Sequence, residues 1–277
     1  MGDAAAIARL LADPDPGIAS ALRRQLVLKD EDPPGLREAV EELPDPAERS
    51  RAREARLEIG CERAGEKIIR GASEGVDLED LTLLVARMED PDADTAFARR
   101  ALDALADRVR AKVESATTAR NRVLTIADFL GGDEHFEGNN TQEEFALGSS
   151  LPLVLERKRG LPIALSVVYM LVAKRVGIEL FGVSAPLHFV VGAPVEEGTL
   201  YLDPFDRGRP LELDDLFRLL RELGVVSLRP EHVAPASTKA IVARMARNLN
   251  KFYASRPRSE ARARRYARVA MALEDSL

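Results

Sequence analysis

Between Gly160 and Gly177 the chain carries a segment with little freedom in how it folds. Ile163, Leu165, Val167, Val168, Met170, Leu171 and Val172 point to nearly every side of a helix from about Ile163 to Val176, so that helix has to be buried all round. Gly177 is placed to cap its C-terminus. Three strand-like runs follow, Glu179 to Ser184, His188 to Gly192 and Leu200 to Leu202, the last two joined by the turn-prone Glu196-Glu197-Gly198. A buried helix followed by an antiparallel meander is the α+β arrangement.

Upstream the pattern is helical. Asp13-Pro14-Asp15-Pro16, Asp32-Pro33-Pro34 and Leu43-Pro44-Asp45-Pro46 punctuate the first 75 residues, and Asp followed by Pro in a first turn is a helix-start signal. Leu, Ile and Val recur between these breaks at three- and four-residue spacing, which predicts short helices. They form either a HEAT-like pair or an irregular helical cap. Further helices are expected over Leu78 to Met88, Asp94 to Val113 and about Thr118 to Leu130. The polar stretch from Asp133 to Leu151 reads as a long loop and a candidate rim of a site. Beyond the meander, helices are expected over Leu211 to Leu223, Lys239 to Ala254 and about Ser259 to Leu273. The expected organisation is therefore a helical segment over 1–75, an α+β unit over 76–235 and C-terminal basic helices over 236–277.

Several function classes recede on composition. The net charge of -6 and a pI near 5.4 argue against general nucleic-acid affinity. No run of about 18 apolar residues exists to span a membrane, and the N-terminus has neither a basic leader nor an apolar cleavable segment, so a cytoplasmic protein is expected. The single Cys61 cannot form an intramolecular disulfide. Three scattered His, at 135, 188 and 232, give no zinc spacing, and neither metal nor cofactor is expected. Ten Lys and Arg against one Glu crowd residues 239–268. The last helix is too poor in apolar residues to insert in a membrane, so it is expected to dock on acidic residues around Asp30-Glu31-Asp32 and Glu38 to Glu48, within one chain or between two chains.

Chemistry concentrates near the meander. His188 and Asp203 are fifteen residues apart on neighbouring strand-like runs, where a carboxylate can hold an imidazole tautomer. Such a pair is either a buried polar bond that stabilises the meander or the remainder of a site.

From Leu78 to about Tyr253 the chain resembles the transglutaminase-like SirB family of bacterial proteins, whose domain also occurs in a eukaryotic F-box protein. The resemblance rests on Leu83-Leu84-Val85-Ala86-Arg87 with Asp90-Pro91-Asp92, Phe136-Glu137-Gly138-Asn139, Val154 to Ile163 with its Glu156-Arg157 and Gly160-Leu161-Pro162-Ile163, Gly182-Val183, Pro186-Leu187-His188-Phe189 and Asp203-Pro204-Phe205. Met245 to Asn250 is similar to the join to a tetratricopeptide-type tail, which is expected to be largely absent. The family usually has Gly where this chain has Leu187, and an Asn-containing element where it has Gly148-Ser149-Ser150-Leu151-Pro152. The resemblance implies a mostly helical N-terminal part on a papain-like core with a small antiparallel sheet. It further implies that His188 and Asp203 are a residual catalytic pair, and that Asn139, Asn140, Arg159, Gly160 and Phe189 form a binding groove.

The nucleophile is what is missing. Such a core places cysteine at the start of the buried helix, where the helix dipole lowers the thiol pKa and a backbone N–H meets the oxyanion. Pro162 stands there with neither a thiol nor an N–H. Cys61 lies in an acid-flanked helical stretch and reads as structural. Ser166, one turn into the buried helix, is expected to bond its own backbone, and Ser149 and Ser150 remain as weak loop candidates. Two readings stay open. One is a non-catalytic module that binds a peptide or regulatory protein; the other is a hydrolase or amidase using His188 as base toward water or a loop serine.

Overall fold

The computed structural model describes residues 2–139, 145–227 and 229–274. Four helices open the chain: α1 (Gly2–Leu11), α2 (Pro16–Val27), α3 (Leu36–Glu41) and α4 (Pro46–Glu74). The Asp-Pro pairs start two of them as read, since the Asp15 carboxylate accepts from the Gly17 N–H at 2.7 Å and that of Asp45 from the Glu48 N–H at 2.9 Å. Leu11, Leu26, Leu36, Val40 and Ile59 close a core of their own. The expectation of uniformly short helices fails at α4, which runs unbroken for 29 residues through Gly60, Gly65 and Gly71. A helical glycine costs about 1 kcal/mol against alanine, too little to break a helix packed on both sides. Gly60 is there for contact, because a Cβ would stand 2.4 Å from the Pro91 Cβ. Farther along, Ala64 and Ile68 of the same helix belong to the main core.

Three helices follow, α5 (Leu78–Glu89), α6 (Thr95–Ser115) and α7 (Ala119–Ala127), each started by a side-chain cap from Asp77, Asp94 and Thr118. A π-helical turn over Asp128–Asp133 leads to β1 (Glu137–Gly138). Where the stretch read as a loop ends, α8 (Leu151–Arg157) begins, a short helix with Ser150 at its N-cap position and Pro152 in its first turn. Then come β2 (Arg159–Gly160), parallel to β1, and α9 (Pro162–Arg175).

The sheet is larger than the expected meander. To β3 (Phe181–Val183), β4 (Val190–Val195) and β5 (Gly198–Asp203) it adds β6 (Arg209–Leu211) and, after α10 (Leu213–Glu222), β7 (Pro235–Ala236). Its order is β6-β5-β4-β3-β7 with every pair antiparallel. Register pairs Val191 with Leu202 and Gly192 with Tyr201. Side chains alternate across it: Val191, Ala193, Leu200 and Leu202 join α9 in the main core, while Val190, Tyr201 and Leu211 face Leu216 and Leu220 of α10. The fold is α+β, with α9 buried as its sequence required.

Two helices end the described chain, α11 (Thr238–Ala254) and α12 (Glu260–Glu274), packed on each other, with α11 against α5 and α12 against α4. Glu89 binds them, accepting hydrogen bonds from the hydroxyls of both Tyr253 and Tyr266. Within one chain the basic α12 packs on α4 but does not pair with the acids that charge alone suggested. Arg268 pairs with Glu66, whereas Asp32 is taken by Arg56 and Arg63, Asp30 by Arg70, and Glu41 by Arg53. α4 carries its own arginines facing those acids, and its length brings them there. No helix among the described residues is long and apolar enough to cross a membrane.

Candidate functional site

Pro162 is in the first turn of α9, after Leu161 in extended conformation (ψ 156°). Proline suits that position because the N–H it lacks has no helical partner there. The Leu161 N–H donates to the Gly148 carbonyl at 2.9 Å, which pins the helix start to the preceding segment.

His188 lies in the turn before β4, and Asp203 ends β5. The β4–β5 hairpin brings them together: His188 Nε2 is 2.9 Å from Asp203 Oδ2, with the residues only 7% and 4% exposed. Asp203 Oδ1 accepts the Phe205 N–H at 3.0 Å, so both carboxylate oxygens are engaged. The Phe205 ring stands edge-on to the imidazole, centroids 6.0 Å apart, and rests on Gly138, where a Cβ would come within 2.5 Å of it. His188 Nδ1 has no hydrogen bond among the described residues, which leaves it available to a ligand.

Arg244 of α11 holds the histidine turn. Its Nη1 donates to Ser184 Oγ at 2.8 Å and to the Ala185 carbonyl at 2.7 Å, and its Nη2 to the His188 carbonyl at 2.8 Å. Burial, reinforced by Arg247, pushes its pKa down to about 10. Leu187, the residue before the histidine, has φ +63° and is 69% exposed. That left-handed backbone is glycine territory, so the departure noted at this position carries strain.

These groups meet in one cleft of about 550 Å³. Pro162 and its neighbours form one side, Leu187 to Phe189 another, and α11 a third through Arg244, Asn248, Lys251, Phe252 and Arg256. The α11 residues were not singled out from sequence, although 244, 248, 251, 252 and 255 recur at helical spacing and share a face.

Other candidates fall elsewhere. Phe189 is on the cleft wall but only 1% exposed, its ring packed on Gly182 and under Arg244. Asn139, Arg159 and Gly160 are not among the described residues that line the cleft. They belong to the β1–β2 ladder, where the Asn139 N–H donates to the Gly160 carbonyl at 3.0 Å and Arg159 is held by Glu137 at 2.5 Å. Asn140 lies outside the described residues. Ser149 and Ser150 are buried away from the cleft, and Ser149 Oγ donates to the Phe145 carbonyl at 3.1 Å, so neither is placed as a nucleophile. The backbone bond expected of Ser166 is not made; its Oγ, like the Tyr169 hydroxyl beneath it, is buried without a partner. Cys61 on α4 is buried, and burial pushes its thiol up to about 11, further raised by Glu89 and Asp90 rather than by the acids beside it in sequence.

A family model described as the transglutaminase-like superfamily matches residues 96–247. A UPF0162 protein of Xylella fastidiosa (strain Temecula1) is 34% identical over 196 residues, 69% of this chain and 70% of that protein. The UPF0162 protein PA3419 of Pseudomonas aeruginosa is 31% identical over 189 residues, 66% of this chain and 67% of that protein. F-box only protein 21 of Mus musculus is 27% identical over 139 residues, 47% of this chain but 22% of the longer protein. No solved structure gives a significant match. With the matched region covering more than half of its 277 residues, and the sheet, the buried helix and the His–Asp pair all inside it, the chain belongs to the transglutaminase-like superfamily.

Proposed function

We propose that this protein is a non-catalytic transglutaminase-like module whose cleft binds a peptide or a segment of a partner protein. One observation carries the reading: Pro162 occupies the first turn of α9 and lines the same cleft as His188, whose imidazole the buried Asp203 holds. An imidazole held by a carboxylate is half of an acyl-transfer apparatus, and the other half requires a nucleophile and an N–H donor at the helix start. Pro162 supplies neither. A cleft of about 550 Å³ with apolar sides suits a few peptide residues.

The hydrolase reading requires His188 to activate water without a covalent intermediate, and the two separate on one substitution. Turnover of a panel of chromogenic amides and esters is compared for the wild type and His188→Gln. Equal background rates support a binding module; a wild-type rate at least tenfold above the variant establishes the hydrolase instead.

A further inference from the structure

We infer that the cleft takes an acidic peptide segment, one whose carboxylates meet the α11 wall while a neighbouring aliphatic or aromatic side chain packs on Leu187. This rests on the peptide-binding reading above and adds the chemistry of the ligand.

Charge supplies the first reason. No carboxylate occurs among the described residues lining the cleft, whereas Arg244, Lys251 and Arg256 all do. Arg244 has only neutral oxygens as partners, and its three bonds leave two of the five guanidinium N–H donors uncommitted. A half-buried cation without a counter-charge is costly, as the lowered pKa of this arginine reflects, and a ligand carboxylate removes that cost. Lys251 is exposed and forms no ion pair among the described residues. Nearby cations are treated differently: Arg247 pairs with Glu274 and Arg268 with Glu66. In a chain with 46 acidic against 40 basic residues, a cleft wall with no acid among the described residues is a selective arrangement.

Shape supplies the second. Leu187 is an exposed leucine held in a left-handed conformation on the rim, and Phe145 stacks on Phe252 at 5.0 Å and 12° beside it. Apolar contact flanked by cations fits a side chain sequence that mixes Asp or Glu with Leu or Phe. Nucleic acid fits less well, because a polyanion needs a long cationic track and is repelled by a chain of net charge -6 far more than a short segment with one or two carboxylates.

The test is selection of a phage-displayed random dodecapeptide library on the full chain, followed by fluorescence polarisation of the recovered peptide and of a labelled twelve-nucleotide RNA. A consensus enriched in Asp or Glu beside Leu or Phe is expected, with at least a tenfold loss of affinity for both Lys251→Glu and Arg244→Gln. Lys251→Glu is at an exposed position, so it keeps the test decisive should Arg244→Gln misfold. A neutral or basic consensus overturns the acidic class and leaves peptide binding standing. An acidic consensus unaffected by Lys251→Glu overturns this cleft as its site. Absence of any enriched peptide overturns both readings, and RNA binding tighter than peptide binding replaces them with a nucleic-acid surface.

Discussion

Gly131 lies against the backbone of Arg207 so closely that a Cβ on the glycine would stand 1.8 Å from the arginine carbonyl oxygen. That contact seats the turn following Asp203 on the π-helical turn after α7, so it lies behind the carboxylate that holds His188. Gly131→Ala is expected to destabilise the fold by about 3 kcal/mol or more, because a backbone oxygen cannot swing aside as a side chain can. Urea unfolding of the two proteins checks this, and a loss below about 1 kcal/mol would show that the turn can shift freely.

Leu187→Gly should behave in the opposite way. Relief of the left-handed backbone is worth about 1–2 kcal/mol, partly offset by the flexibility glycine gives the unfolded chain, so stability is expected to stay level or rise by up to about 1 kcal/mol. Removing the exposed leucine should at the same time weaken peptide binding. A variant that unfolds more easily than wild type contradicts the strain; one that binds peptide as well as wild type contradicts the rim contact.

Alkaline stability should report on Cys61. Its thiol has a folded pKa of about 11 against an ordinary 9.0, so the folded state keeps the proton that the unfolded state gives up. Stability from this group is therefore full below pH 9 and is lost as pH rises toward 11, by roughly 2–3 kcal/mol. Unfolding free energies of wild type and Cys61→Ala, measured from pH 8 to pH 11, should converge over that window. Parallel curves would exclude a buried, unactivated thiol.

Glu89→Ala removes the acceptor of both Tyr253 and Tyr266 hydroxyls. Each buried hydroxyl left unsatisfied costs about 1–3 kcal/mol, and the loss should loosen α11 and α12 more than the sheet. Hydrogen exchange is the measurement: faster exchange confined to residues 238–274 is expected, and uniform acceleration through β3 to β5 would mean the clamp has no local role.

The part of the fold most legible in the sequence was the part with the least freedom. α9 could be read because residues 163–172 leave it no exposed face, and the antiparallel hairpin because Gly198 falls between two apolar runs. His188 and Asp203 followed from their places on that hairpin. α8 and β6 were missed because segments of seven and three residues hold too few side chains for a period to show. α4 was expected to be as short as its neighbours because the Asp-Pro breaks set the scale, although none falls between residues 47 and 75, and only the structure reveals Pro91 against Gly60. The third wall of the cleft was overlooked for another reason: the positive charge of α11 was weighed as a total, while the face shared by Arg244, Asn248 and Lys251 went unread.

The hydrogen bond between Glu89 and Tyr266 joins residues 177 positions apart, whereas that between His188 and Asp203 spans 15. On a ribosome these two closures happen at different times. The histidine and its carboxylate can pair as soon as the β4–β5 hairpin has emerged, while the acid at the end of α5 waits for nearly the whole chain to be translated. Since α11 is held in place by the same acid and forms one wall of the cleft, a nascent chain possesses its imidazole–carboxylate pair before it possesses anywhere for a ligand to sit.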